Sequence, residues 1–247
     1  MKKTIIANWK MNLSVAKSLQ FIKKIAKTKN EVVIAAPFTF LCELGKHLKN
    51  KKIKLAGQNV SQFESGAYTG DVSASMLKEE GCTYCLVGHS ERRIYFKETD
   101  AIINKKIKQL LNKQIKPVLC VGENLAQGKR GQTHQVIKRQ ISAGLKGIKK
   151  ISSILIAYEP VWAISTFQKS KIKQAATVLD IIEAHSFIKE ILININKNQG
   201  KSVKILYGGT VNSGNSRQIL GLKQVDGALI GGASLKISSF NDIIKSS

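Results

Sequence analysis

Hydrophobic positions fall into two alternating patterns along the chain. Short runs rich in Val, Ile, Ala and Leu recur at 4–10, 32–37, 53–60, 84–89, 117–123, 154–159, 203–209 and 228–232. They are nearly continuous rather than alternating, which predicts strands buried on both faces, as in a parallel sheet. Between them, apolar residues return at three- and four-residue spacing, the period of an amphipathic helix. After the first run, Ser14 can cap a helix that carries Val15, Leu19, Ile22 and Ile25 on one face. Further helices are predicted over 40–48, 99–112, 133–145 and 174–196. Alternation of this kind implies parallel strands joined by helical crossovers. Eight such units suggest a closed (β/α)8 barrel, with 1–247 as a single domain. A doubly wound open sheet is the alternative, but no G-x-G-x-x-G follows the first strand.

Candidate functional polar residues gather at the carboxyl ends of the strands. They are Asn8 and Lys10, His89, Glu159, Gly208-Gly209-Thr210 and Gly231-Gly232, each at the carboxyl end of a run. In a barrel those ends converge on the face where active sites form. Asn8 and Lys10 are two apart and share one side of their strand, while Trp9 points the other way and packs. Glu159 closes the run Ile154-Leu155-Ile156-Ala157-Tyr158 and is followed by Pro160, which ends the ladder there. A carboxylate at the end of a buried strand is costly unless it is paired or chemically employed. An ion-paired structural Glu is the plain alternative.

Composition narrows the class. The charged fraction is 23% and the hydrophobic fraction 43%, ordinary for a globular protein. Lys2 and Lys3 precede only Thr4 to Ala7, too short for a signal-peptide core, and no apolar run reaches transmembrane length. A cytoplasmic protein without membrane association is expected, with Cys42, Cys82, Cys85 and Cys120 reduced. Cys82-Thr83-Tyr84-Cys85 has no second pair or nearby His, so it reads as two buried residues entering a strand. The formal charge of +24 is extreme. Its lysines are scattered along the whole chain, without the basic stripe and interleaved aromatics of a nucleic-acid protein. Nucleic-acid binding is therefore not expected, although a positive surface attracts anionic substrates.

Seven stretches carry a family resemblance. They are Asn8-Trp9-Lys10-Met11-Asn12, Gly66-Ala67-Tyr68-Thr69-Gly70, Gly88-His89-Ser90-Glu91-Arg92-Arg93, Cys120-Val121-Gly122-Glu123, the run from Ala157 to Ile164, Tyr207-Gly208-Gly209-Thr210-Val211 and Gly231-Gly232-Ala233-Ser234. In this order and from end to end the chain resembles the triosephosphate isomerases. The resemblance implies interconversion of dihydroxyacetone phosphate and glyceraldehyde 3-phosphate, a step of glycolysis and gluconeogenesis, without metal or cofactor. It implies Glu159 as proton shuttle, His89 as electrophile, and Lys10 and Asn8 as catalytic groups that also bind substrate. Chemistry agrees: a carboxylate shuttles protons when partly desolvated. If the turn at Ser90-Glu91-Arg92 is helical, its positive end keeps His89 a neutral donor. Ser90 and Glu91 would support the site, Glu91 by pairing with Lys10. Gly231 and Gly232 open a turn whose amides suit a phosphate, with Thr210 and Ser165 completing the cage. A homodimer is implied, the loop at 66–71 inserting into the partner, with Thr69 bracing the partner's site.

Other polar residues read as structural: His47, His134 and His185 as surface or helix-packing groups, Trp162 as hinge packing, Arg92 and Arg93 as ion-paired. Two departures from the family pattern stand out. The arginine usual after the fifth strand falls near Gly128, where Lys129 or Arg130 can substitute. The lid after Ile164 reads Ser165-Thr166-Phe167-Gln168-Lys169-Ser170-Lys171-Ile172-Lys173 in place of a Gly-Thr-Gly lid and short hinge. Its length and Phe167 predict costlier ordering and lowered turnover. The functional rivals are another phosphate-binding barrel enzyme and a polyanion-binding role for the basic surface.

Overall fold

Strand β1 (Thr4–Asn8) is buried along its whole length, as its unbroken apolar run requires. In this computed structural model, which describes residues 2–49, 52–164 and 176–246, seven more strands follow. They are β2 (Glu31–Ala36), β3 (Lys54–Gly57), β4 (Cys82–Val87), β5 (Lys116–Val121), β6 (Leu155–Tyr158), β7 (Lys204–Tyr207) and β8 (Gly227–Ile230). Each pairs in parallel with its sequence neighbour, and β8 returns to β1 to close the barrel. The predicted closed (β/α)8 architecture is thus the observed one, and the open sheet is excluded.

The strands sort their side chains by parity. Ile6, Val33, Ala35, Leu86, Val118, Cys120, Leu155, Ala157, Leu206 and Leu229 belong to the cluster that fills the barrel. Their neighbours Ile5, Ala7, Ile34, Val87, Leu119, Ile156, Ile205 and Ile230 join the larger cluster beneath the helices. Each side of the sheet is therefore apolar, which explains the continuous runs.

The helices are α1 (Val15–Lys23), α2 (Leu41–Leu48), α3 (Ala74–Glu79), α4 (Ser90–Tyr95), α5 (Asp100–Asn112), α6 (Leu125–Lys129), α7 (Thr133–Gly144), α8 (Val178–Ile195), α9 (Lys197–Ser202), α10 (Ser216–Gly221) and α11 (Ile237–Lys245). Ser14 caps α1 by accepting from the Lys17 amide, as expected. The helix expected from 174 begins at Val178, where Thr177 and Asp180 form a capping box; Gln174 lies outside the described residues. Short helices such as α3, α6, α9 and α10 escape a periodicity reading because a helix of about two turns shows too little of its period. The C-terminal α11 has the period, with Phe240, Ile243 and Ile244 buried. The third strand is shorter than the predicted 53–60, because its ladder ends at Gly57 and Gln58 turns to the barrel mouth. Among the described residues no helix is long and apolar enough to cross a membrane.

Several structural readings hold. Trp9 is fully buried edge-on to Phe21. Cys82 and Cys85 are buried, and burial pushes both thiols up, away from reactivity. Arg92 pairs with Glu98, and Arg93 with Asp100 at 2.6 Å. His47 and His134 lie on the surface beside Glu43 and Glu183. His185 is wholly buried between Tyr158 and Tyr207, with Nδ1 at 3.1 Å from the Gln224 carbonyl.

Candidate active site

On four strands the inward row runs on to a residue of the site at the barrel mouth. Asn8 continues the parity of Ile6, Glu159 that of Leu155 and Ala157, Gly208 that of Leu206, and Gly231 that of Leu229. A cavity of about 300 Å³ lies there. It brings together Asn8, Lys10, His89, Glu159, Thr210, Gly231 and Gly232, all singled out from the sequence.

Lys10 is held in an uncommon conformation. Its φ is +52°, a left-handed value that costs a non-glycine residue free energy and persists only where surroundings impose it. Both sides of the residue are clamped. Asn8 Oδ1 accepts from the Lys10 amide at 3.1 Å, and Gln58 Nε2 donates to the Lys10 and Ala35 carbonyls at 2.9 Å each. Lys10 Nζ meets Glu91 Oε1 at 2.6 Å, the pairing that the resemblance implied. Asn8 spends its carbonyl oxygen on this clamp, so its NH2 is the group available to a ligand. Gln58 was missed from the sequence; its signal was a lone glutamine just past the short apolar run Leu55-Ala56-Gly57.

His89 caps α4, the short helix whose first turn was expected from Ser90-Glu91-Arg92. Gly88 at φ +68° redirects the chain there, and a Cβ on it would lie 2.9 Å from Ile103 Cδ1. His89 Nδ1 accepts from the Glu91 amide at 3.3 Å. That bond requires Nδ1 without a proton, so the ring proton sits on Nε2, which faces Glu159 Oε1 at 3.3 Å. The imidazole is thus presented as a neutral N–H donor.

Glu159 is only 2% exposed. Its backbone amide donates to the Val121 carbonyl at 2.7 Å, and its Oε2 accepts from the Ser90 amide at 3.2 Å. Space for the carboxylate arm depends on Gly208, where a Cβ would stand 2.7 Å from Glu159 Cγ. A second cavity, about 480 Å³, lies behind Glu159 and is lined also by Ser90 and Gln140. Cys120 is fully buried nearby; burial first, and the Glu159 charge second, push its thiol up. Ser90 and Glu91 therefore stand behind the cavity, holding Glu159, His89 and Lys10 rather than lining it.

On the opposite wall, Gly231 leads into a 3-10 turn at Gly232–Leu235, where Ser234 Oγ donates to the Gly231 carbonyl at 2.7 Å. Nothing lies within 4 Å of a Cβ placed on Gly232, so its backbone is open to a ligand. Thr210 lines the cavity, but its hydroxyl donates to the Ala163 carbonyl at 2.6 Å, and the Asn215 side chain holds its carbonyl at 3.0 Å. Its part in the site here is to pin the start of the lid. Beside it, Trp162 Nε1 donates to Glu123 Oε1 at 2.6 Å, which gives the expected hinge packing a polar anchor. Burial raises the Glu123 carboxyl despite the Trp162 and Tyr158 donors. Ser165 and the altered lid through Lys173 lie outside the described residues.

Thr69 is not among the cavity residues. It sits on the exposed loop at 66–71, shaped by Gly66 and Gly70 at φ +127° and +91° and by Tyr68 stacked 4.0 Å from Phe63. Among the described residues no three His, Cys, Asp or Glu side chains converge as a metal site requires.

Comparison with known proteins agrees with this geometry. The family model described as triosephosphate isomerase matches residues 3–247. The triosephosphate isomerase of Alkaliphilus metalliredigens is 47% identical over 99% of both chains. That of Dictyoglomus thermophilum is 44% identical over 99% of both, and that of Aquifex aeolicus 42% over 100% of both. The crystal structure of triosephosphate isomerase from Bartonella henselae superposes with a TM-score of 0.90 at 36% identity, covering 100% of this chain and 99% of that one.

Proposed function

The chain belongs to the triosephosphate isomerase family, and from that premise we propose how its own residues share the reaction. The enzyme interconverts dihydroxyacetone phosphate and glyceraldehyde 3-phosphate, the glycolytic step its family is named for. Family membership sets aside the rival of a different phosphate-binding barrel enzyme. Glu159 takes a proton from the carbon beside the carbonyl and returns it to the neighbouring carbon, leaving the carboxylate as it began. As the proton leaves, charge moves onto the carbonyl oxygen to form an enediolate. His89 Nε2–H donates to that oxygen, and the Lys10 ammonium, aimed by Glu91, stabilises its charge. Asn8 adds a neutral donor. The Gly232 amide, with Gly231 and Thr210 as its wall and Ser165 from the lid, holds the phosphate.

The observation that carries this reading is the tautomer of His89. With Nδ1 occupied by the Glu91 amide, the only proton the ring can offer is on Nε2, directed at Glu159 across the cavity. Substrate oxygens would take that donor from Glu159 and free the carboxylate to act as base. Replacing Glu159 with Gln keeps the shape and removes basicity, so turnover should fall by about 10²–10⁴, the usual worth of a general base. Near-normal activity in a coupled assay of Glu159→Gln would overturn the assignment.

The working unit proposed is a cytoplasmic homodimer of single-domain protomers. Met11, Tyr68, Tyr95 and Phe96 support it. These side chains are large and exposed, and they stand on the segments that follow β1, β3 and β4, Tyr95 at the end of α4, within one side of the barrel mouth. A partner's surface would cover them, with Thr69 reaching the partner's site. Sedimentation across a dilution series, assayed in parallel for isomerisation, tests this; a fully active monomer counts against it.

A further inference from the structure

The lysines that look scattered in sequence gather at one end of the barrel. Each turn that leads from a helix back into a strand ends on the rim opposite the active site. Lys24 and Lys27 precede β2, Lys49 and Lys52 precede β3, Lys149 and Lys150 precede β6, and the turns before β7 and β8 and both chain termini add more. Among the described residues this amino-end rim carries twenty lysines and four acids. The carboxyl-end rim, bounded in the same way, carries eight basic and seven acidic residues. Two of the four acids are engaged within the fold. Asp226 accepts from the Ile205 amide at 2.8 Å, and Glu31 accepts from Thr4 at 3.2 Å beside Lys204. Uniform compositional drift toward lysine would load both ends alike.

Three features say what such a face fits. The charges come from seven of the eight strand entries of a closed barrel, the acidic turn Glu80-Gly81 before β4 being the exception, so they form a broken ring rather than a stripe. No arginine stands among them, although the chain has five, and arginine is the side chain suited to paired, planar recognition. No large exposed aromatic lies there, and Ile195, at 41% exposure, is the one large exposed hydrophobic of this rim among the described residues. A nucleic-acid duplex is a cylinder and covers a stripe, and single strands are held by stacking aromatics. A flat lattice of phosphate-bearing headgroups meets a whole ring at once and needs only point charges.

We propose that the amino-end face of the barrel adsorbs to anionic lipid bilayers, with the active-site mouth facing away from the membrane. The expectation of no membrane contact came from the absence of a spanning segment, and surface adsorption needs none. The loop at 66–71 follows β3 at the other end of the barrel, and of the rim lysines Lys113 pairs with Glu64 beside it, so most of the face stays open in the dimer proposed above.

The test uses the whole protein with sucrose-loaded vesicles of about 30% phosphatidylglycerol in phosphatidylcholine, at about 100 mM salt. Two variants of equal charge are compared. One is Lys27, Lys52, Lys149, Lys201 and Lys223→Gln on the rim; the other, the helix variant, is Lys17, Lys97, Lys105, Lys138 and Lys236→Gln, on or beside the outer helices and away from that rim. The native protein should pellet with anionic vesicles and not with pure phosphatidylcholine, keep its isomerase turnover while bound, and release as salt rises. The rim variant should bind at least about 25-fold more weakly, roughly fivefold for each of two lysines touching the surface, and the helix variant within about twofold of native. Unchanged turnover in both variants shows that they fold. Failure to pellet, or equal loss in both variants, overturns the proposal. So does tighter binding, per phosphate, to a short RNA duplex than to the vesicles.

Discussion

The two ends of the barrel are built by the same eight strands and use charge in opposite ways. At the carboxyl end the charges are balanced, and those at the site are individually held. Lys10 is fixed by Glu91, Arg93 by Asp100, and Glu159 by the Ser90 amide and His89. At the amino end they are many, predominantly positive, and carried mostly on exposed lysine stems. A fixed charge acts at one atom and stabilises a particular transition state, because it needs no reorganisation when reaction begins. A crowd of solvated charges contributes little pair by pair but sums to a field over a whole face. The comparison predicts that single changes at the carboxyl end alter turnover sharply. At the amino end only collective changes should register, and then in binding.

The largest effect, after loss of Glu159 itself, is expected at Lys10. Lys10→Met keeps the stem and removes the ammonium, so turnover should fall by about 10²–10³, the usual worth of one preorganised electrostatic group. Steady-state kinetics would show it, and a loss below about tenfold would mean that the field here is not locally held. Next is Gly208→Ala. Its Cβ would meet Glu159 Cγ at 2.7 Å, displacing the carboxylate without touching its chemistry. Turnover should drop by about 10²-fold, as for a displacement of about 1 Å, with the urea midpoint far less affected.

A smaller effect concerns stability rather than rate. Burial pushes His185 down to about 4 from its ordinary 6.5. Between those values the unfolded chain binds a proton that the folded chain refuses. Stability from this group is therefore complete above pH 6.5 and declines as pH falls toward 4, by on the order of 2 kcal/mol at pH 5. Urea midpoints at pH 7.5 and 5 should separate more widely in the native protein than in His185→Gln, and equal separations would refute the assignment. The smallest effect is expected at the other end. The five-lysine rim variant should keep turnover within about twofold, because exposed substitutions away from special features shift stability by only about 0.5 kcal/mol each. A tenfold loss would show that the amino-end field reaches the chemistry and would erase the contrast between the ends.

Much of the site was legible because strand periodicity is local. Asn8, Lys10 and Glu159 could be placed on the inward row by counting in twos from Ile6 and Leu155, and the structure keeps that parity. The role of Thr210 was less legible. Its hydroxyl, expected to face a phosphate, is given to the Ala163 carbonyl, a partner 47 residues away whose position depends on the turn after β6. Gln58 was overlooked for the same reason. Its donors reach the carbonyls of Lys10 and Ala35 on two other strands, and no local pattern records such a meeting.

The amino-acid sequence by itself determined the alternation of strands and helices, the side of each strand that faces the barrel axis, and the identity of the groups at the strand ends. Those properties depend on residues within a few positions of one another. Tertiary structure alone decided that His89 Nε2 meets Glu159, which arrives on a different strand. It also decided that Lys10 is held left-handed by a glutamine from β3's far end, and that lysines spread over the whole chain share one face. Closure of the barrel is the physical reason. It carries every helix-to-strand turn to one rim and every strand end to the other, whatever their separation in sequence.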